Sequence, residues 1–116
     1  MDYYQEWFDL KPGVKDADFA RVLAHYMAYL KDNRLIEGWK LTRRKLGLGP
    51  SELGEFQLAM ETKNLAQLDD AFNHVATCSE PVESVHLGVN SKVQNQRFGL
   101  YRDFPDLVRR EGEEKF

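Results

Sequence analysis

Four stretches of alternating apolar and polar residues, at 2–10, 35–46, 55–61 and 93–104, are interrupted by stretches of helical spacing, and this order of periodicities limits the folds open to the chain. In the first, Tyr4, Phe8 and Leu10 share one phase while Tyr3, Gln5, Trp7 and Asp9 share the other, an aromatic-rich pattern suited to a pleated surface. Lys11-Pro12-Gly13 ends it, because proline disfavours helix at the residue before it and glycine accepts turn geometry. Asp16 and Asp18 then fall where a helix N-terminus favours anions.

Phe19, Val22, Leu23, Tyr26, Met27 and Leu30 recur at helical spacing, which predicts a first helix over about residues 15–33. Trp39 and Leu41 alternate with Lys40, Thr42 and Arg44 in the second strand, and Phe56, Leu58 and Met60 with Gln57 and Ala59 in the third. Between them GLGPSELG, 47–54, is a loop by turn chemistry. Asn64 with Gln67 forms an Asn variant of the capping box, opening a second helix whose buried stripe should be Leu65, Leu68, Phe72 and Val75. Ser79-Glu80-Pro81 starts a short third helix carrying Val82, Val85 and Val89, and the last strand places Phe98 and Leu100 opposite Arg97, Gly99 and Tyr101. The expected fold class is α+β: a ferredoxin-like split βαβ sandwich, in which helices cover one face of a four-stranded antiparallel sheet.

The chain has 116 residues, enough for one core, so a single domain spanning 1–116 is expected, with 105–116 a charged tail. Sixteen basic against nineteen acidic residues supply no positive field to hold a polyanion, and no nucleic-acid partner is expected. The third strand, GEFQLAMET, also lacks the spaced aromatics with which related sheets read RNA bases. A lone Cys78, read as small and partly buried, excludes an intrachain disulfide framework. MDYYQEWF has no leader pattern, and no run approaches the roughly eighteen apolar residues of a membrane span. A cytoplasmic protein without membrane contact is the expectation.

The strand phases turn Tyr3, Gln5, Trp7, Asp9, Lys40, Thr42, Arg44, Gln57, Ala59, Arg97 and Tyr101 away from the helices. Aromatics at that density mark an interface or a pocket, and a second sheet packed face to face would bury them. A homodimer is therefore expected.

The strand end Phe8-Asp9-Leu10, the turn Lys11-Pro12-Gly13, the acidic helix start with Asp16, Asp18 and Phe19, and Phe56-x-Leu58 leading into Asn64-Leu65-x-x-Leu68 resemble the dimeric α/β-barrel superfamily. The chain is most similar there to small uncharacterised bacterial members. The resemblance implies two ferredoxin-like protomers joined sheet to sheet; known members include cofactor-independent monooxygenases, haem-degrading enzymes and lactone isomerases. The antibiotic-biosynthesis monooxygenase branch has a Trp ending the third strand and a His about a turn and a half into the second helix. Here those regions hold Met60-Glu61-Thr62 and Asp70-Ala71.

Of three histidines, His25 falls at the margin of the first helix's apolar stripe and His74 nearly opposite Leu68, Phe72 and Val75, and both read as surface residues. His86 shares the inward side with Val82, Val85 and Val89; it reads first as a satisfied, partly buried histidine and is the best single candidate for proton transfer or an axial metal bond. No histidine pairing at metal spacing and no phosphate loop occur, so no metal and no cofactor are expected. The leading reading is a homodimer binding a small aromatic or anionic metabolite, acting on it by acid–base chemistry. Trp7 and Tyr101 would be its walls and Gln5, Arg44 and Gln57 its orienting groups. The alternative is a non-catalytic dimer with a filled barrel, and a cofactor-free monooxygenase is the third reading.

Overall fold

The computed structural model describes residues 1–77 and 79–105; the expectations for Cys78 and for residues 106–116 of the tail lie outside them. The chain runs β1(Asp2–Leu10), α1(Asp16–Asp32), β2(Gly38–Arg43), β3(Phe56–Thr62), α2(Leu65–Ala76), α3(Val82–Asn90) and β4(Val93–Arg102). All paired strands are antiparallel, in the order β2-β3-β1-β4. This is the α+β ferredoxin-like arrangement that the periodicities imply. No described helix is long and apolar enough to cross a membrane.

The core lies between the helices and one sheet face. Phe8 of β1 stacks on Phe56 of β3 with ring centres 5.7 Å apart, and Phe19 of α1 meets Phe8 edge-on at 5.4 Å. Leu23, Met27 and Leu30 continue the α1 stripe into the same cluster, as their spacing requires. Gly13, at φ +85°, completes the turn before α1, and the Asn64 side chain accepts a hydrogen bond from the Gln67 amide at 2.9 Å at the start of α2. The Gln67 side chain answers by accepting from Lys63 N at 2.7 Å, one residue before the cap.

Three expectations change. The second strand is shorter than 35–46, because Arg34 turns left-handed at φ 59° and drops Leu35 and Ile36 into the core as a connection. In α2 the buried residues are Leu68 and Ala71, while Leu65 and Phe72 are more than half exposed. Phe98 and Leu100 share the helix side but are also more than half exposed, since the outer half of the edge strand is left uncovered.

The edge strand β4 is irregular at one point. β1 pairs Trp7 with Arg97 but Asp9 with Gln94, so β4 carries one extra residue there, and Asn95 takes φ 56°. The Asp9 carboxylate holds this bulge, accepting from Asn95 Nδ2 at 3.1 Å and from the Glu55 amide at 2.8 Å. Those bonds, the Glu55 amide foremost, keep its pKa below the ordinary value. Strict alternation would put Val93 and Gln96 on opposite faces; the bulge turns both toward the helices.

The loop between β2 and β3 closes tightly on β1. A Cβ on Gly54 would lie 2.3 Å from the Phe8 carbonyl carbon, a backbone atom that cannot give way. Gly54→Ala should therefore destabilise the protein by about 1–3 kcal/mol, read by urea denaturation, and an unchanged midpoint would show that the loop does not pack as described.

Candidate functional site

β1 alternates, so the side that carries Phe8 into the core also carries Tyr4 and Glu6. Glu6 is a carboxylate on one of the two central strands of the sheet, placed under the helices. It sits in a hollow of about 260 Å³ between α1, α2, α3 and the sheet, with Tyr4, Tyr26, His86, Asn90 and Gln96 as the other lining residues that carry polar atoms. The remaining lining is apolar, Met27, Leu58, Met60 and Phe72 among it.

The polar groups meet at one end. Gln96 donates through Nε2 to Glu6 Oε1 at 2.6 Å and lies 3.5 Å from Asn90 Oδ1. Tyr26 and His86 meet edge to face with ring centres 5.9 Å apart. Burial pushes the Glu6 carboxyl above its ordinary pKa, against the Gln96 hydrogen bond and the nearby His86, both of which favour the ionised form. Burial, with the Glu6 charge and Tyr29 adding to it, pushes the Tyr26 phenol up to about 12. The arrangement offers a carboxylate with raised proton affinity beside a phenol that remains a donor at neutral pH, the pairing that proton abstraction and return need.

Among the sequence candidates, His86 reaches this hollow from α3. Gln5, Trp7, Gln57 and Tyr101 lie on the other side of the sheet, separated from His86 by the sheet itself. There Gln57 donates to Gln5 Oε1 at 3.0 Å. Trp7 and Tyr101 close over Gly99, where an added Cβ would lie 3.2 Å from the indole and 2.9 Å from the phenol ring. Arg44 lies just past β2 beside a hollow of about 290 Å³ shared with Trp7 and Gln57, and its guanidinium donates to the Pro50 and Leu53 carbonyls at 2.9 and 2.7 Å. It braces the loop.

His25 is exposed, whereas His74 is partly buried and paired with the Tyr29 hydroxyl at 2.6 Å, a correction to its reading as a surface residue. Sequence reasoning missed Glu6 and Gln96. Their signal was a polar residue in the apolar phase, Tyr4-x-Glu6-x-Phe8 and Gln96-x-Phe98-x-Leu100. Among the described residues, no cluster of three or more His, Cys, Asp or Glu is placed to hold a metal ion.

The raised Glu6 pKa predicts a pH-dependent stability. A group that binds its proton more tightly when folded contributes fully below its unfolded pKa, and that contribution is lost as pH rises through the folded value. Glu6→Gln retains an acceptor for Gln96 and should be more stable than the parent at neutral pH, with the gain vanishing in acid. Urea titrations at both pH values read this, and a variant less stable than its parent at neutral pH would contradict it.

Solved structures share this architecture at low sequence identity. A protein from Arabidopsis thaliana superposes with a TM-score of 0.71 at 6% identity, covering 91% of this chain and 98% of its own. SnoaB, a cofactor-independent oxygenase from Streptomyces nogalater, gives 0.53 at 15% identity over 93% and 97%. A dimeric protein of unknown function and ferredoxin-like fold from Bacteroides fragilis gives 0.54 at 13% over 88% and 95%. Identities this low carry the fold alone. No curated protein matches the chain significantly. A family model matches residues 1–116 in full, and the chain belongs to the family of unknown function DUF6614.

Proposed function

We propose that the protein binds a small, largely apolar metabolite in the hollow under its helices and moves a proton on it, with Glu6 as general base and His86 and Tyr26 as donors to the oxygen where charge develops. The observation that carries this reading is Glu6 itself. A carboxylate held by Gln96 in a mostly apolar cavity has a raised proton affinity, and such groups cluster where proton transfer is the task. The chemistry drawn from these residues needs no metal, because the base and the donors are all side chains of this chain.

The same proposal makes the protein a homodimer whose open sheet faces meet. Trp7, Tyr3 and Tyr101 on that face support it, as do the dimeric ferredoxin-like proteins among the structural neighbours. In this arrangement Gln5, Trp7, Gln57 and Tyr101 belong to the contact between protomers, and the ligand sites lie outside it, one per protomer. The alternative, a non-catalytic dimer with a filled barrel, draws support from the way Trp7 and Tyr101 pack down on Gly99. The oxygenase names belong to the neighbours that bear them. A single cysteine fits a cytoplasmic setting.

Enolisable α-hydroxy ketones with an alkyl chain, incubated with the protein in deuterated water, should exchange their acidic C–H, and Glu6→Gln should slow the exchange by about 10²–10⁴-fold. Parent-like exchange in Glu6→Gln would remove Glu6 from the chemistry. Light scattering at micromolar concentration should give twice the mass of the chain, and a monomer would rule out the sheet-to-sheet dimer.

A further inference from the structure

The hollow does not end at its aromatic wall. Tyr4, Phe72 and Phe98 line it and also line an adjoining shallow trough, which Leu68 and Leu100 continue. Tyr4 links the two, its ring 5.2 Å from Phe72 and 5.9 Å from Phe98. Phe72, Phe98 and Leu100 are 51%, 57% and 53% exposed, and Leu65, at 59%, stands beside a further recess that Leu100 also lines. An apolar strip of this kind stays wet at a free-energy cost unless something covers it.

The strip has direction. Its polar end holds Glu6, Gln96, Asn90 and His86, and the trough beyond Tyr4 carries no charged side chain. Gln96, Phe98 and Leu100 are successive residues on the same side of β4, so the distance from polar end to apolar end is about 13 Å. One Glu6 oxygen already accepts from Gln96. A second donor suits the carboxylate, whereas an anionic group would face it at low dielectric.

We infer that the ligand is a linear amphiphile with an uncharged, hydrogen-bond-donating head against Glu6 and an aliphatic tail lying along the trough over Tyr4, Phe72, Phe98 and Leu100. This rests on the reading of the hollow as the ligand site and adds the shape and polarity of the molecule that fills it. The trough supplies affinity in proportion to tail length, and Glu6 selects the head.

Calorimetric titration of the full chain with straight-chain primary alkanols from butanol to decanol separates the two. Each added methylene that enters the trough should tighten binding by up to about fourfold, with a plateau once the tail passes Leu100. Leu100→Ser and Phe98→Ser, at exposed positions where folding is not at stake, should bring that plateau to shorter chains. Alkanoates of equal length should bind more weakly than alkanols at neutral pH, and Glu6→Gln should close the gap. An affinity independent of chain length but still sensitive to Glu6→Gln would overturn the trough and leave the site in the hollow standing. A length dependence unchanged by either serine variant would overturn it too, by placing the tail elsewhere. No alkanol binding at any length would overturn the inference, and the exchange experiment with Glu6→Gln would still decide the proton-transfer reading on its own. Halving of the particle mass in Leu100→Ser would show the trough to be a contact between copies of the chain, and would also overturn the inference.

Discussion

β1 is hydrogen-bonded on both edges, to β3 and to β4, and its register decides which chemistry lies on which side of the sheet. Phe8 is wedged between Phe19 and Phe56, and that packing leaves only one phase open to the strand. With Phe8 inward, Tyr4 and Glu6 must also be inward, and Tyr3, Gln5, Trp7 and Asp9 outward. A slip of one residue would expose Phe8 and bury Trp7 in its place, so the aromatic cluster that stabilises the fold also holds the Glu6 carboxylate under the helices.

Asp9 extends this control to β4. Its carboxylate ties the β3 end, through the Glu55 amide, to the bulge at Asn95. The extra residue lets Val93 fill the core while Gln96, three positions later, still reaches Glu6 at 2.6 Å. A regular strand could supply one of these and not the other. The bulge gives up ladder regularity at one position and gains a hydrogen bond to a carboxylate that would otherwise be buried with less support.

The fold was legible because its signals are periodic: the stripe from Phe19 to Leu30 on α1, the alternation of Phe56, Leu58 and Met60, and the Asn64 cap each act through local geometry. His86 was legible for the same reason, since the valines of α3 define its inward side. Glu6 and Gln96 escaped because pattern reading takes the apolar members of a phase and passes over the polar exception. Gln96 was hidden further by the bulge, which changes the strand's phase and leaves only an ordinary Asn in the sequence. The exposure of Leu65, Phe72, Phe98 and Leu100 depends on how far the helices extend over an edge strand, a tertiary quantity that no local period encodes.

The two sides of the sheet therefore have different physical roles. On the open side the polar groups are largely committed to their neighbours: Gln57 to Gln5, Arg44 to the Pro50 and Leu53 carbonyls, Asp9 to Glu55 and Asn95. These bonds stiffen the strands and the loop. On the helix side Glu6 has a single bond, from Gln96, and burial raises its proton affinity despite that bond and the nearby His86. Filling its place with an apolar side chain would remove the desolvation penalty and extend a core that already surrounds it. A buried carboxylate with raised proton affinity, braced by a bulge that costs ladder bonds, carries a desolvation cost and a strand irregularity that an apolar residue at the same place would avoid.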